Sequence, residues 1–210
     1  MQVDKTFLGI HCGNRRLQLY IMTPAKIVRD DRQDAILQAA QDLIATRGVD
    51  AVSMAELAKQ TNLSRPAIYQ YFASKEDVLA ELVINEMADL SNAIDTHMQK
   101  IDDAMERVRV WIHYSLAHLA SAEHRIIREI SIDTLPAEKR GMLTAMHGHF
   151  MMALVSPITQ LGIADVTATC HLIYASVAAT AKRIDEGSDF SREAAALEKF
   201  TLAGITGALS

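Results

Sequence analysis

The chain has 210 residues, half of them of hydrophobic type, with nine glycines, four prolines and a formal net charge of −5. That length supports one well-cored domain or two small ones sharing a helix, and the acidic total argues against binding nucleic acid through bulk charge. No apolar run reaches transmembrane length, so no membrane-spanning helix is expected. The two cysteines, Cys12 and Cys170, form no CxxC pair and read as small hydrophobes of a reduced, cytoplasmic protein.

Charge is unevenly distributed. Residues 22–75 carry seven Lys/Arg against six Asp/Glu, whereas residues 76–210 carry eleven against nineteen. The acidic excess lies in the C-terminal two-thirds, so an N-terminal contact with DNA remains compatible with the net charge.

Period-3.6 apolar patterns recur almost throughout and alternating strand patterns are nearly absent, which predicts an all-α fold of about nine helices. Residues 1–21 fit this pattern poorly and also lack the apolar core of a secretion signal. They are expected to be an extra arm or a mis-assigned start, with translation beginning at Met22. Residues 22–76 then form a DNA-binding domain, and residues 77–210 a helical effector-binding and dimerisation domain.

The first helix is predicted over 31–47, with Ile36, Ala39, Ala40, Leu43 and Ile44 as its apolar stripe and Gly48 as a left-handed cap. Ser53-Met-Ala-Glu56 reads as a capping box opening a second helix to about residue 60, flanked by the staple pair Val52 and Leu57. Thr61-Asn62-Leu63 breaks the pattern, and Asn62 is the residue there best able to take a positive φ. Ser64 caps a third helix reaching Phe72, with Pro66 in its first turn. Ser74 caps a fourth, with Glu76 and Asp77 in its first turn.

Longer helices follow over about 74–99, 103–122, 123–134, 136–161, 165–186 and 191–209, with Pro157 expected to kink or end the fourth of these. The helix from residue 103 is apolar or aromatic on two sides, through Val108, Ile112, Ser115 and Leu119 and through Trp111, Tyr114 and His118. It is therefore expected to be central.

Two short helices joined by a three-residue turn, after a supporting helix, form a helix-turn-helix. In such a unit the N-terminal part of the second helix faces base edges in the major groove. Arg65 can read guanine bidentately, a contact that discriminates by about 1–3 kcal/mol, and Ala67 offers a methyl surface to thymine. Ile68 and Phe72 take the core side. Tyr69, Gln70 and Tyr71 cannot all follow them, so the tyrosines are left near the surface as phosphate donors. Lys75 opposes the favourable sign of the dipole at its own helix start, which makes sense if a phosphate sits there.

The run from ILQAA (36–40) and ATRG (45–48), through SMAELA (53–58), to LS (63–64) and IYQYFASK (68–75), resembles the TetR family of bacterial transcriptional repressors. Asn62 stands where that family often has a turn glycine. Carried over position by position, the resemblance places DNA contacts on Ser53, Ser64, Arg65, Ala67, Tyr69, Gln70, Tyr71 and Lys75. It further implies a homodimer on a near-palindromic operator, released by a small-molecule effector, with no cofactor and no enzymatic activity.

The last two helices are rich in Ala, Thr, Ser and Gly on more than one face. Small residues allow close approach, and so these helices are expected to pair with those of a second copy in a four-helix dimer core. Trp111, Tyr114, His118, Met146, Phe150 and Tyr174 are nominated as lining of a pocket for an apolar or amphipathic effector.

A metal site is not expected. His147 and His149 lie about 200° apart on a helix, His113 and His118 are no better placed, and no acidic or cysteine partner sits at ligand spacing. The competing class is a helical small-molecule-binding protein or enzyme with an incidental helix-turn-helix corner. No P-loop, HExxH, nucleophile elbow or dinucleotide loop supports it.

Overall fold

Short polar residues at fixed places punctuate the chain into helices. The computed structural model describes residues 31–208; the arm at 1–21, the start at Met22 and Cys12 lie outside them. The helices are α1 (Asp31–Arg47), α2 (Met54–Thr61), α3 (Arg65–Tyr69), α4 (Lys75–Met98), α5 (Ala104–Leu119), α6 (Ala122–Ile127), α7 (Ala137–Gln160), α8 (Val166–Asp185) and α9 (Phe190–Ala208), with 3-10 turns at Val49–Ala51 and Ile132–Thr134. The described residues are thus all-α with nine α-helices.

Seven of these helices start on a side chain that accepts a backbone N–H three residues on: Ser53, Ser64, Ser74, Asp103, Ser121, Asp165 and Asp189. Each satisfies one of the four amides a helix start leaves unpaired. Glu56 does not close its capping box; its carboxylate meets Arg47 at 3.1 Å, tying the end of α1 to α2. Asn62 takes the left-handed conformation (φ 55°, ψ 30°). Leu63 N–H reaches Ala58 O at 3.0 Å and Asn62 N–H reaches Lys59 O at 3.4 Å, the double closure of a Schellman motif. Gly48 has the expected positive φ of 80°, but ψ is 167°, so the chain leaves α1 extended and enters a 3-10 turn.

Three boundaries differ from the sequence pattern. Helix α3 ends at Tyr69 because Gln70 and Tyr71 turn back on Ala67 and Ile68 through i+3 bonds. Helix α6 stops at Ile127, where Ile127 and Ile130 turn into the core instead of continuing a helical stripe. Helix α7 runs through Pro157 to Gln160: the proline removes one bond near the end, and the buried ring stays packed.

Helix α5 is central, packed by α4, α6, α7, α8 and α9. The apolar interior forms two clusters strung along α4. One takes Val78 to Ile84 together with α1–α3, Ile127, Ile130, Leu135 and Leu143. The other takes Leu90, Ile94 and Met98 with α5, α7, α8 and α9. Between them α4 presents the polar stretch from Asn85 to Asp89, none of whose residues is fully buried. No helix among the described residues is long and apolar enough to cross a membrane.

Candidate DNA-binding surface and the helical domain behind it

Helix α2 packs on both α1 and α3, and α1 also packs against α4. Ile68 and Phe72 are buried at 0% and 5% exposure, which anchors α3 and turns its other face outward. Ser53, Ser64, Arg65, Tyr69 and Gln70 are exposed, while Ala67, Tyr71 and Lys75 are half-buried. Tyr69 is the more accessible tyrosine, at 54%; Tyr71 packs partly against the first core. Arg65 and Lys75 form no ion pair with another described residue, so their charge is available to an outside anion. The hydroxyls of Ser53 and Ser64 accept their cap amides at 3.2 and 3.3 Å and keep an O–H to donate. These residues therefore sit on consecutive helix starts and one short helix, with donors and two cations facing out.

The six nominated pocket residues fall in different parts of the helical domain. Trp111 is fully buried, and its indole Nε1 donates to Phe150 O. Phe150 and Tyr174 meet edge-on at 6.2 Å, with His147 5.6 Å from Tyr174. Tyr114 stacks on His97 at 4.5 Å, and burial pushes its phenol above the usual range. Met146 packs against the first core and His118 turns to Glu86. A cavity of about 290 Å³ lies nearby, lined by Asp95, Met98, Gln99, Ile101, Arg107 and Ala153, none of which was nominated. Arg107, one of the lining residues, reaches Gln160 and Ser156 at 3.2 and 3.3 Å, with its Nε buried and unpartnered.

His147 and His149 have different partners, as their helical angle requires: His147 joins the aromatic cluster and His149 meets Asp95 at 3.0 Å. A histidine pair that spacing did not reveal lies elsewhere. Glu86 of α4, His118 of α5 and His124 of α6 converge, with ligand-type atoms all within 4.8 Å of one another. Burial alone would raise the Glu86 carboxyl, but hydrogen bonds from the two histidines, with their charge, outweigh it and hold the group at about 2. The local signal was HLASAEH: a Ser121-capped corner between α5 and α6 folds His118 and His124 toward each other, whereas Glu86 arrives from a distant part of the chain.

Helices α1–α3 thus form a helix-turn-helix reading head, with α4–α9 as the bundle behind it. Residues 36–82 match the model of the bacterial regulatory proteins, tetR family. It is similar to the HTH-type transcriptional regulator EthR of Mycolicibacterium smegmatis, 36% identical over 98 residues, covering 44% of this chain and 45% of that protein. It is also similar to the HTH-type transcriptional activator FasR of the same organism, 26% identical over 126 residues, covering 59% and 54%. The chain thus spans about half the length of the curated relatives it matches. The transcriptional regulator FadR from Bacillus subtilis, in complex with stearoyl-CoA, shares the fold, with a TM-score of 0.68 at 21% identity over 81% of this chain and 98% of that one.

Proposed function

We infer that this chain is a repressor that binds a near-palindromic operator as a homodimer and is released by an amphipathic effector of the acyl-thioester class. The observation carrying the DNA reading is the outward row of Ser64, Arg65, Tyr69 and Gln70 on a helix held from behind by Ile68 and Phe72. A dimer reads two half-sites only when its two α3 helices are about 34–36 Å apart. Any ligand that prefers a different spacing weakens operator binding by its differential affinity for the two states.

The second copy is proposed to dock on α8 and α9. Ala168, Leu172, Ala175 and Ala179 form an exposed stripe on α8, and Ala196, Phe200, Ala203 and Gly204 form one on α9. Leu172 and Phe200 are 68% and 71% exposed, a large apolar area for water to cover. Two such helices per copy make a four-helix core.

The effector class is supported by the relative named with stearoyl-CoA and by the chemistry around the cavity. Arg107 offers a guanidinium in the cavity lining for an anionic head group. Behind it Ala153 leads along α7 toward Phe150 and Trp111, where an acyl chain would enter by moving the rings apart. Helix α4 carries the signal, supported by the Lys139–Glu81 pair at 3.4 Å and by α6, where Arg125 and the C-terminal cap Arg128 reach Asp185 of α8 at 3.5 and 2.6 Å.

The test is selection of genomic fragments by the purified chain, followed by anisotropy titration of the recovered duplex with and without acyl-CoAs of graded length. Salt-sensitive binding to a two-fold symmetric site, weakened by one range of chain lengths, is the expected result. No selection over random DNA overturns the operator reading, and selection without an acyl-CoA response overturns the effector class.

A further inference from the structure

The seam between the two cores holds the densest cluster of chemistry outside the reading head. His118 lies in the last turn of α5, His124 in the first turn of α6, and Glu86 at the polar waist of α4. Glu86 Oε1 accepts from His118 Nε2 at 2.8 Å and from His124 Nδ1 at 2.5 Å. The rings are 5.2 Å apart, and the three side chains are only 14–19% exposed. Converging from three helices, they owe nothing to helical periodicity: the fold assembles them.

We propose that Glu86, His118 and His124 form a binding site for a divalent transition-metal ion of the Zn²⁺ type, coordinated by His118 Nε2, His124 Nδ1 and a Glu86 carboxylate oxygen. Two imidazoles and one carboxylate are a borderline donor set that suits Zn²⁺, and three protein ligands leave a fourth position for water. Ligand bonds of about 2.0–2.2 Å place neighbouring ligand atoms of a tetrahedral site roughly 3.4 Å apart. The two carboxylate–imidazole separations therefore need to open by less than about 1 Å, within reach of side-chain rotation.

Proton accounting closes as well. The two nitrogens that now donate to Glu86 must each present a lone pair to the ion. A neutral ring does so by moving its proton to its other nitrogen, and an imidazolium by releasing one proton to solvent. An ion here would cross-link α4, α5 and α6 at the level where the DNA-binding core meets the effector bundle.

The test is calorimetric titration of the intact, chelator-treated chain with ZnCl₂, with helical content checked by circular dichroism. The expected result is one ion per chain, with affinity reduced at least tenfold in each of His118→Ala, His124→Ala and Glu86→Gln. His149→Ala removes the surface imidazole paired with Asp95 and is expected to leave affinity unchanged. Should a cluster variant lose helix, Co²⁺ bound to the unaltered chain supplies the second readout. Intense visible absorption of a four-coordinate nitrogen–oxygen site supports the assignment, and a weak six-coordinate spectrum overturns it. Absence of stoichiometric Zn²⁺ binding, or binding that survives loss of both His118 and His124, also overturns it.

Discussion

Trp111 donates its indole N–H to the main-chain carbonyl of Phe150 across 3.2 Å, and the two rings lie 4.8 Å apart and tilted by 31°. One contact thus fastens α5 to α7 by hydrogen bond and by ring packing at the centre of the bundle. Phe150→Ala should leave a void beside a fully buried indole. The expected loss is about 3–5 kcal/mol, read as a lower denaturation midpoint with the far-ultraviolet spectrum of the folded state retained. Phe150→Leu, which keeps most of the volume, should lose clearly less.

On the reading head, Arg65 and Lys75 should fail in different ways. Arg65→Ala is expected to lose roughly 1–3 kcal/mol of discrimination between operator and mutated operator. Lys75→Ala should weaken specific and random duplex alike and reduce the salt slope by about 1. Anisotropy titrations at several salt concentrations separate the two, and equal loss of base preference in both variants would contradict the assigned roles.

Ser64 permits a separation of stability from DNA binding. Ser64→Ala removes the cap on Ala67 N–H and should cost about 0.5–2 kcal/mol in denaturant unfolding. Ser64→Asp keeps a capping oxygen and should hold stability near that of the parent, yet it sets a negative charge beside phosphate and should abolish duplex binding. Retained DNA affinity in the aspartate variant would remove α3 from the interface.

Leu172 and Phe200 make the dimer proposal testable. Replacing both with Glu puts two charges into the proposed four-helix core, where an unpaired buried carboxylate is costly. Sedimentation at micromolar concentration is expected to shift from dimer for the parent to monomer for the double variant, with helical content preserved. A monomeric parent would refute the arrangement outright.

What the sequence made legible was local. Ser53, Ser64 and Ser74 announced helix starts because a cap acts on amides within three residues. Asn62 announced a turn because left-handed backbone tolerates few side chains. The span of α1 followed from one uninterrupted apolar stripe. Helix α6 was read too long because Ile126, Ile127 and Ile130 carry an apolar signal that tertiary packing, not helical continuation, uses.

Pocket lining was least legible, since a buried aromatic such as Trp111 has the same sequence signature whether it walls a cavity or fills a core. The Glu86 cluster was invisible for a related reason: His118 lies 32 residues beyond Glu86 and His124 lies 38 beyond it, and only the corner between α5 and α6 brings them together.

Helix α4 spans both apolar clusters, with its polar waist between them. Cooperative melting follows from that arrangement. Amides from Val78 to Ile84 and from Leu90 to Met98 share one ladder, so opening either end frays the register of the other. Whatever stiffens the C-terminal bundle should therefore slow deuterium uptake in a reading head it never touches.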